Sequence, residues 1–216
     1  MRAMQDLPDS SRLQTSWARC WLALGAAGEG QVLMDRLLAS WAEPQRRYHT
    51  LQHLDECLAL FERSRALAEH PAEVEMALWF HDAVYDVRGK DNEARSAAWA
   101  QAELRAAGVG AAAIERIAGH IMATCHAALP NGGDQQLLVD IDLSILGAPR
   151  PRFLDYEEQV RAEYGWVPGF LFRRKRREIL REFLAREPIF GTPLIREEIE
   201  GRARENLAYS IAALGG

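Results

Sequence analysis

The chain has 216 residues, 48% hydrophobic and 26% charged, with a net charge of −5. This is the balance of an ordinary globular protein with enough chain for one sizeable core, and the acidic charge argues against a protein that coats nucleic acid. No apolar run reaches the ~18 residues that a bilayer span requires, which argues against a membrane partner. Met1 to Asp9 carries one Arg and no hydrophobic stretch, so it does not read as a secretory signal. Cys20, Cys57 and Cys125 are widely separated and form no Cys-x-x-Cys pair. They read as buried or free thiols in a reducing, cytoplasmic setting.

Helical spacing runs through the chain. Leu13, Trp17, Cys20, Trp21 and Leu24 predict a first helix over 10–26, broken by Gly25, Gly28 and Gly30. Val32, Leu33, Leu37, Leu38 and Trp41 form a second, ended by Pro44. After Arg46-Arg47-Tyr48-His49-Thr50, a long helix over 50–68 carries Leu51, Leu54, Leu58 and Phe61 on its core face. A helix over 72–86 follows Pro71 and includes Trp79-Phe80-His81-Asp82. The polar loop from Tyr85 leads to a cap at Asp91 or Asn92 and an Ala-rich helix over 93–107. Ile114, Ile117, Ile121 and Thr124 mark the next helix, with His120 on it and His126 on it or just past it. Beyond the Pro130-Asn131-Gly132-Gly133 turn, helices are expected at 135–146, 152–164, 169–186 and 195–214. Strand-like alternation is absent. The expectation is a single all-α domain over 1–216, with N-terminal helices to 45, a central core over 46–165 and C-terminal helices from 166.

Several polar residues lean toward apolar faces. His81 and Asp82 stand inside an apolar stripe and would be costly to bury without a partner. A divalent cation is an economical one, since imidazole and carboxylate both ligate it. Imidazole is also available at His49 or His53, four residues apart. Asp140 and Asp142 differ by about 200° around a helix, so only one faces the core. Asp142 shares its face with Leu138, Ile145 and Leu146, and is expected inward. Asp140, beside Gln136 and Ser144, is expected to be solvated or to support the site from behind. No cysteine looks suitably placed. Such a His/His/Asp/Asp set suits a hydrolytic centre holding Mn, Fe, Zn, Co, Ni or Mg. His120 and His126 are candidates for a second metal or for phosphate, and Arg173-Arg174-Lys175-Arg176-Arg177 reads as a solvated basic face.

These residues resemble the His-Asp (HD) superfamily of metal-dependent phosphohydrolases, in particular its bacterial branch of predicted metal-dependent phosphohydrolases. The similarity spans Tyr48-His49-Thr50-Leu51-Gln52-His53-Leu54, Trp79 to Asp86, Asp91-Asn92-Glu93 with Ser96-Ala97, and Asp140 to Gly147. It implies an HD-type helical bundle. It also implies metal ligation by His53, His81, Asp82 and Asp142, with His49 the rival for the first position or a supporting partner. Catalysis would then run through a metal-bound water, with His81 and Asp82 as the central pair and Asp82 also serving as base. The implied substrate is a nucleotide or another small phosphate ester. Asn92 and Glu93 would support the site or contact substrate, although capping a helix explains them as well. The alternative is a non-catalytic nucleotide-sensing or scaffold domain that retains the metal site.

Overall fold

The computed structural model describes residues 10–126 and 130–215, and residues 1–9, including the segment read above for a secretory signal, lie outside them. Among the described residues every regular element is helical. The helices are α1 (Ser10–Ala23), α2 (Gln31–Trp41), α3 (Leu51–Ser64), α4 (Pro71–Phe80), α5 (Asn92–Ala106), α6 (Ala111–Ala123), α7 (Gly133–Asp142), α8 (Arg150–Glu163), α9 (Gly169–Leu184) and α10 (Pro193–Ala213), with short 3₁₀ turns at Arg65–Leu67 and Leu143–Gly147. No helix among them is long and apolar enough to cross a membrane. The chain divides into two compact units between Val139 and Asp140.

The first unit is built around α4. Every residue from Glu73 to Phe80 is buried, as expected of a helix that is apolar on all sides. Trp17 of α1 stacks on Trp21 and meets Trp79 edge-on, with ring centroids 5.2 Å apart in both pairs. The Trp79 indole N–H donates to Ser16 Oγ at 3.0 Å, and that of Trp41 donates to the Trp79 carbonyl at 3.0 Å. These bonds satisfy the polar edges of large buried rings. The two acids of α4 are paired as well. Glu73 takes a two-pronged contact from Arg116, 2.7 Å on each prong, and Glu75 takes one from Arg19. A buried carboxylate without such a partner would cost several kcal/mol, on the order of 3–5.

α4 ends earlier than its apolar pattern predicts. The last helical residue is Phe80, and His81 and Asp82 lie in the turn beyond it. The His81 ring takes the carbonyl of Leu78, which the next helical N–H would otherwise use, and the ladder stops there. The buried guanidinium of Arg46 then holds the carbonyls of Asp82 and Ala83 in the turn.

The second unit packs α10 against the 3₁₀ turn and α9. Gly147 has no room for a side chain, since a Cβ would stand 2.6 Å from Ile199 Cβ and 2.8 Å from its carbonyl oxygen. Asn206 donates to the carbonyls of Leu146 and Ala148, both at 2.9 Å. Arg176, the one buried member of the basic run, pairs with Glu157, whose other oxygen accepts from Ser210 Oγ at 2.6 Å.

In this unit the two aspartates depart from the expected orientation. Asp140 is fully buried, and its carboxylate accepts the backbone N–H groups of Gly191 and Thr192. Asp142 is only half-buried. The inward residue is Asp140, because a loop fifty residues downstream supplies amides to it.

Candidate metal centre

The site lies at the C-terminal end of α4, in the first unit. His53 is the third residue of α3, in its first turn after Thr50, and its side chain is 2% exposed. His81 is 0% exposed and Asp82 14%. His53 Nε2 lies 3.2 Å from His81 Nε2, His81 Nε2 lies 3.3 Å from Asp82 Oδ2, and His53 Nε2 lies 3.9 Å from Asp82 Oδ2. Two nitrogen ligands 2.1 Å from a tetrahedral ion are about 3.4 Å apart. Three donors thus converge at the spacing of ligands to one cation.

Hydrogen bonds set the direction of both imidazoles. His81 Nδ1 meets the carbonyl of Leu78 at 2.8 Å. A carbonyl only accepts, so the proton sits on Nδ1, and Nε2 presents a lone pair toward His53. His53 Nδ1 faces the hydroxyl of buried Tyr48 at 3.1 Å. Trp41 walls the pair, its ring 5.3 Å from that of His81 and 6.2 Å from that of His53. Such an apolar wall strengthens any electrostatic contact made inside it.

His49 precedes α3, outside the helix. Its Nε2 is 4.0 Å from Asp82 Oδ2, and its ring stacks on Tyr85 at 4.2 Å. The loop carrying Tyr85 is closed by Asn92, whose amide accepts from Asp86 N at 3.0 Å and donates to Asp86 O at 2.9 Å. Ser96 Oγ accepts from Val84 N at 3.0 Å. Asn92 and Ser96 therefore brace the loop beneath His49. Glu93, next to Asn92 in the first turn of α5, also stands near the exposed Cys125, whose thiol it helps burial to push up.

Sequence reasoning missed two residues here. Arg46, with a fully buried side chain, donates to the carbonyls of His49 at 3.1 Å, Asp82 at 2.7 Å and Ala83 at 3.0 Å. Its guanidinium also lies over the rings of Trp41 and Tyr85, at 5.5 and 5.3 Å. The second is Cys57, although the expected site contains no cysteine. Its Sγ is 3.7 Å from His53 Nδ1 and 3.8 Å from Nε2. His53, Cys57 and His81 are all buried and together could hold a metal ion. The signal was available, since residues four apart share a helix face.

The other candidates lie on other elements. His120 is buried on α6, and its charged neighbours are Asp134, Glu73, His70 and Arg116, toward the opposite end of α4. Neither of its ring nitrogens has a hydrogen-bond partner among the described residues. His126 falls just past α6, with a positive φ of 53°. Asp140 and Asp142 belong to the second unit. No family model, curated protein or solved structure matches the chain.

Proposed function

We propose that the protein is a metal-dependent phosphohydrolase of the HD type, acting on a nucleotide or another small phosphate ester. The observation that supports this most is the convergence of His53 Nε2, His81 Nε2 and Asp82 Oδ2 within 3.2–3.9 Å of one another. Two neutral imidazoles and a carboxylate fit a divalent cation. By the sequence resemblance, Asp142 would complete the set. When bound, the cation supplies Lewis acidity, polarising a phosphoryl oxygen and lowering the pKa of water.

The residues of the chain divide the remaining work. His53 and His81 would hold the ion from inside, where Trp41 and Tyr48 exclude water around them. Asp82 is the more exposed of the three donors and faces the approach of water and substrate. One of its oxygens can orient the attacking water and take its proton as the oxygen bonds to phosphorus and the ester P–O bond breaks. His49, on the same rim at 22% exposure, is placed to hydrogen-bond the phosphoryl group or support Asp82.

The test pairs metal analysis of the purified chain with a hydrolysis screen. Nucleotides, cyclic nucleotides and sugar phosphates would be offered with Mn²⁺, Co²⁺, Ni²⁺ or Mg²⁺. Metal-dependent turnover that disappears in Asp82→Ala supports the reading. Bound metal without turnover on any phosphate ester would leave the ligand-sensing alternative.

A further inference from the structure

We propose that Cys57 is itself a ligand of this centre, which makes the site selective for a borderline-soft ion such as Zn²⁺, Fe²⁺ or Co²⁺ rather than Mg²⁺ or Mn²⁺. The inference rests on the metal-binding part of the function proposed above and extends it to the identity of the ion. Cys57 Sγ is 3.8 Å from His53 Nε2. A sulfur at 2.3 Å and a nitrogen at 2.1 Å from a tetrahedral ion stand about 3.6 Å apart. The thiol, His53 and His81 each offer one atom within 4.8 Å of the others, and all three residues are buried.

The competing account is packing. Sγ is also 3.7 Å from His53 Nδ1, which places the sulfur against the ring and suits a small apolar side chain as well. Chemistry separates the two. A thiolate shifts a site away from hard, oxygen-preferring ions and toward zinc, iron and cobalt. Packing does not. The position is also built to last, since Cys57 is 2% exposed and stands one helical turn from His53 on a rigid element. Neither Cys20, buried in α1, nor the exposed Cys125 has a comparable pair of imidazoles beside it among the described residues.

X-ray absorption at the zinc edge decides the matter. The full chain, stripped with chelator and reloaded with Zn²⁺, should show one sulfur at about 2.3 Å. The Cys20→Ala/Cys125→Ser variant retains only the Cys57 thiol and should keep that sulfur shell. Cys57→Ser should lose it, and in the Co²⁺ form should lose the thiolate-to-cobalt absorption in the near ultraviolet. If Cys57→Ser fails to fold, the double variant alone gives the answer. A shell of nitrogen and oxygen only, in the wild type or in the double variant, overturns the inference. Hydrolysis with a nitrogen and oxygen shell sinks the cysteine ligand and leaves the phosphohydrolase. A sulfur shell without hydrolysis does the reverse. A chain that takes up no zinc overturns both.

Discussion

The guanidinium of Arg46 donates to the main-chain carbonyl of Asp82 at 2.7 Å. One buried side chain thereby ties the segment before α3 to the turn after α4, because the same group also reaches the carbonyl of His49. Arg46→Ala would leave three carbonyls without this donor and should destabilise the fold by about 3 kcal/mol or more. Arg46→Lys should recover only part of this, since an ammonium cannot reproduce the planar fork. Urea unfolding, with metal affinity on the folded fraction, measures both. An unchanged midpoint in Arg46→Ala would contradict the role.

Tyr48→Phe keeps the ring and removes the hydroxyl that faces His53 Nδ1. Loss of a group that orients a ligand typically weakens metal affinity about 10–100-fold. Competition with a fluorescent chelator reads this directly, and an affinity equal to wild type would show that Tyr48 only packs.

Replacing the converging donors should be more severe. His53→Ala, His81→Ala and Asp82→Ala are expected to lose metal and hydrolysis together, whereas His49→Ala should reduce turnover about 10–100-fold. By the resemblance, Asp142→Ala should also abolish activity. Asp140→Ala should instead lower stability, because two backbone amides would lose their acceptor. Metal content and melting temperature on all six variants separate these effects, and a stable, metal-free Asp140→Ala would reverse the last assignment.

Much of the fold was legible in the sequence, for a plain reason. Helical spacing needs only neighbours within a few residues, so Leu54, Leu58 and Phe61 of α3 or Ile114, Ile117 and Ile121 of α6 announce their faces locally. The errors fall where a distant group decides. Nothing near Asp140 tells that Gly191 and Thr192 will bring amides to it. α4 reads as continuing to residue 86, because the apolar run does not reveal that the His81 ring will take the carbonyl of Leu78, nor that Arg46 will hold those of Asp82 and Ala83. Arg46 itself stands in a short polar stretch without periodicity. Cys57 is a different case, since its four-residue offset from His53 is itself readable in the sequence.

His120 gives the fold an acid sensitivity. Burial lowers its pKa from the ordinary value near 6.5, while Asp134 and Glu73 oppose that shift and His70 and Arg116 add to it. The folded state therefore holds fewer protons at this position than the unfolded chain. Its contribution to stability is complete above about pH 6.5 and is lost as pH falls through the lower folded value. Urea midpoints at pH 7.5 and 5.5 should differ less in His120→Gln than in the wild type. Equal differences would show that another group governs the acid limb.

His81 closes α4 with one nitrogen and offers the other to its neighbours. The donor is thus oriented by the same bond that terminates the helix, so little chain entropy remains to be lost when an ion arrives. Preorganisation of this kind separates ligation from folding. Unlike a zinc finger, whose apo form is unfolded, a unit tied together in this way is expected to keep its helices with or without an ion. Under the proposed function, an ion could then exchange with the surrounding pool without the helices coming apart.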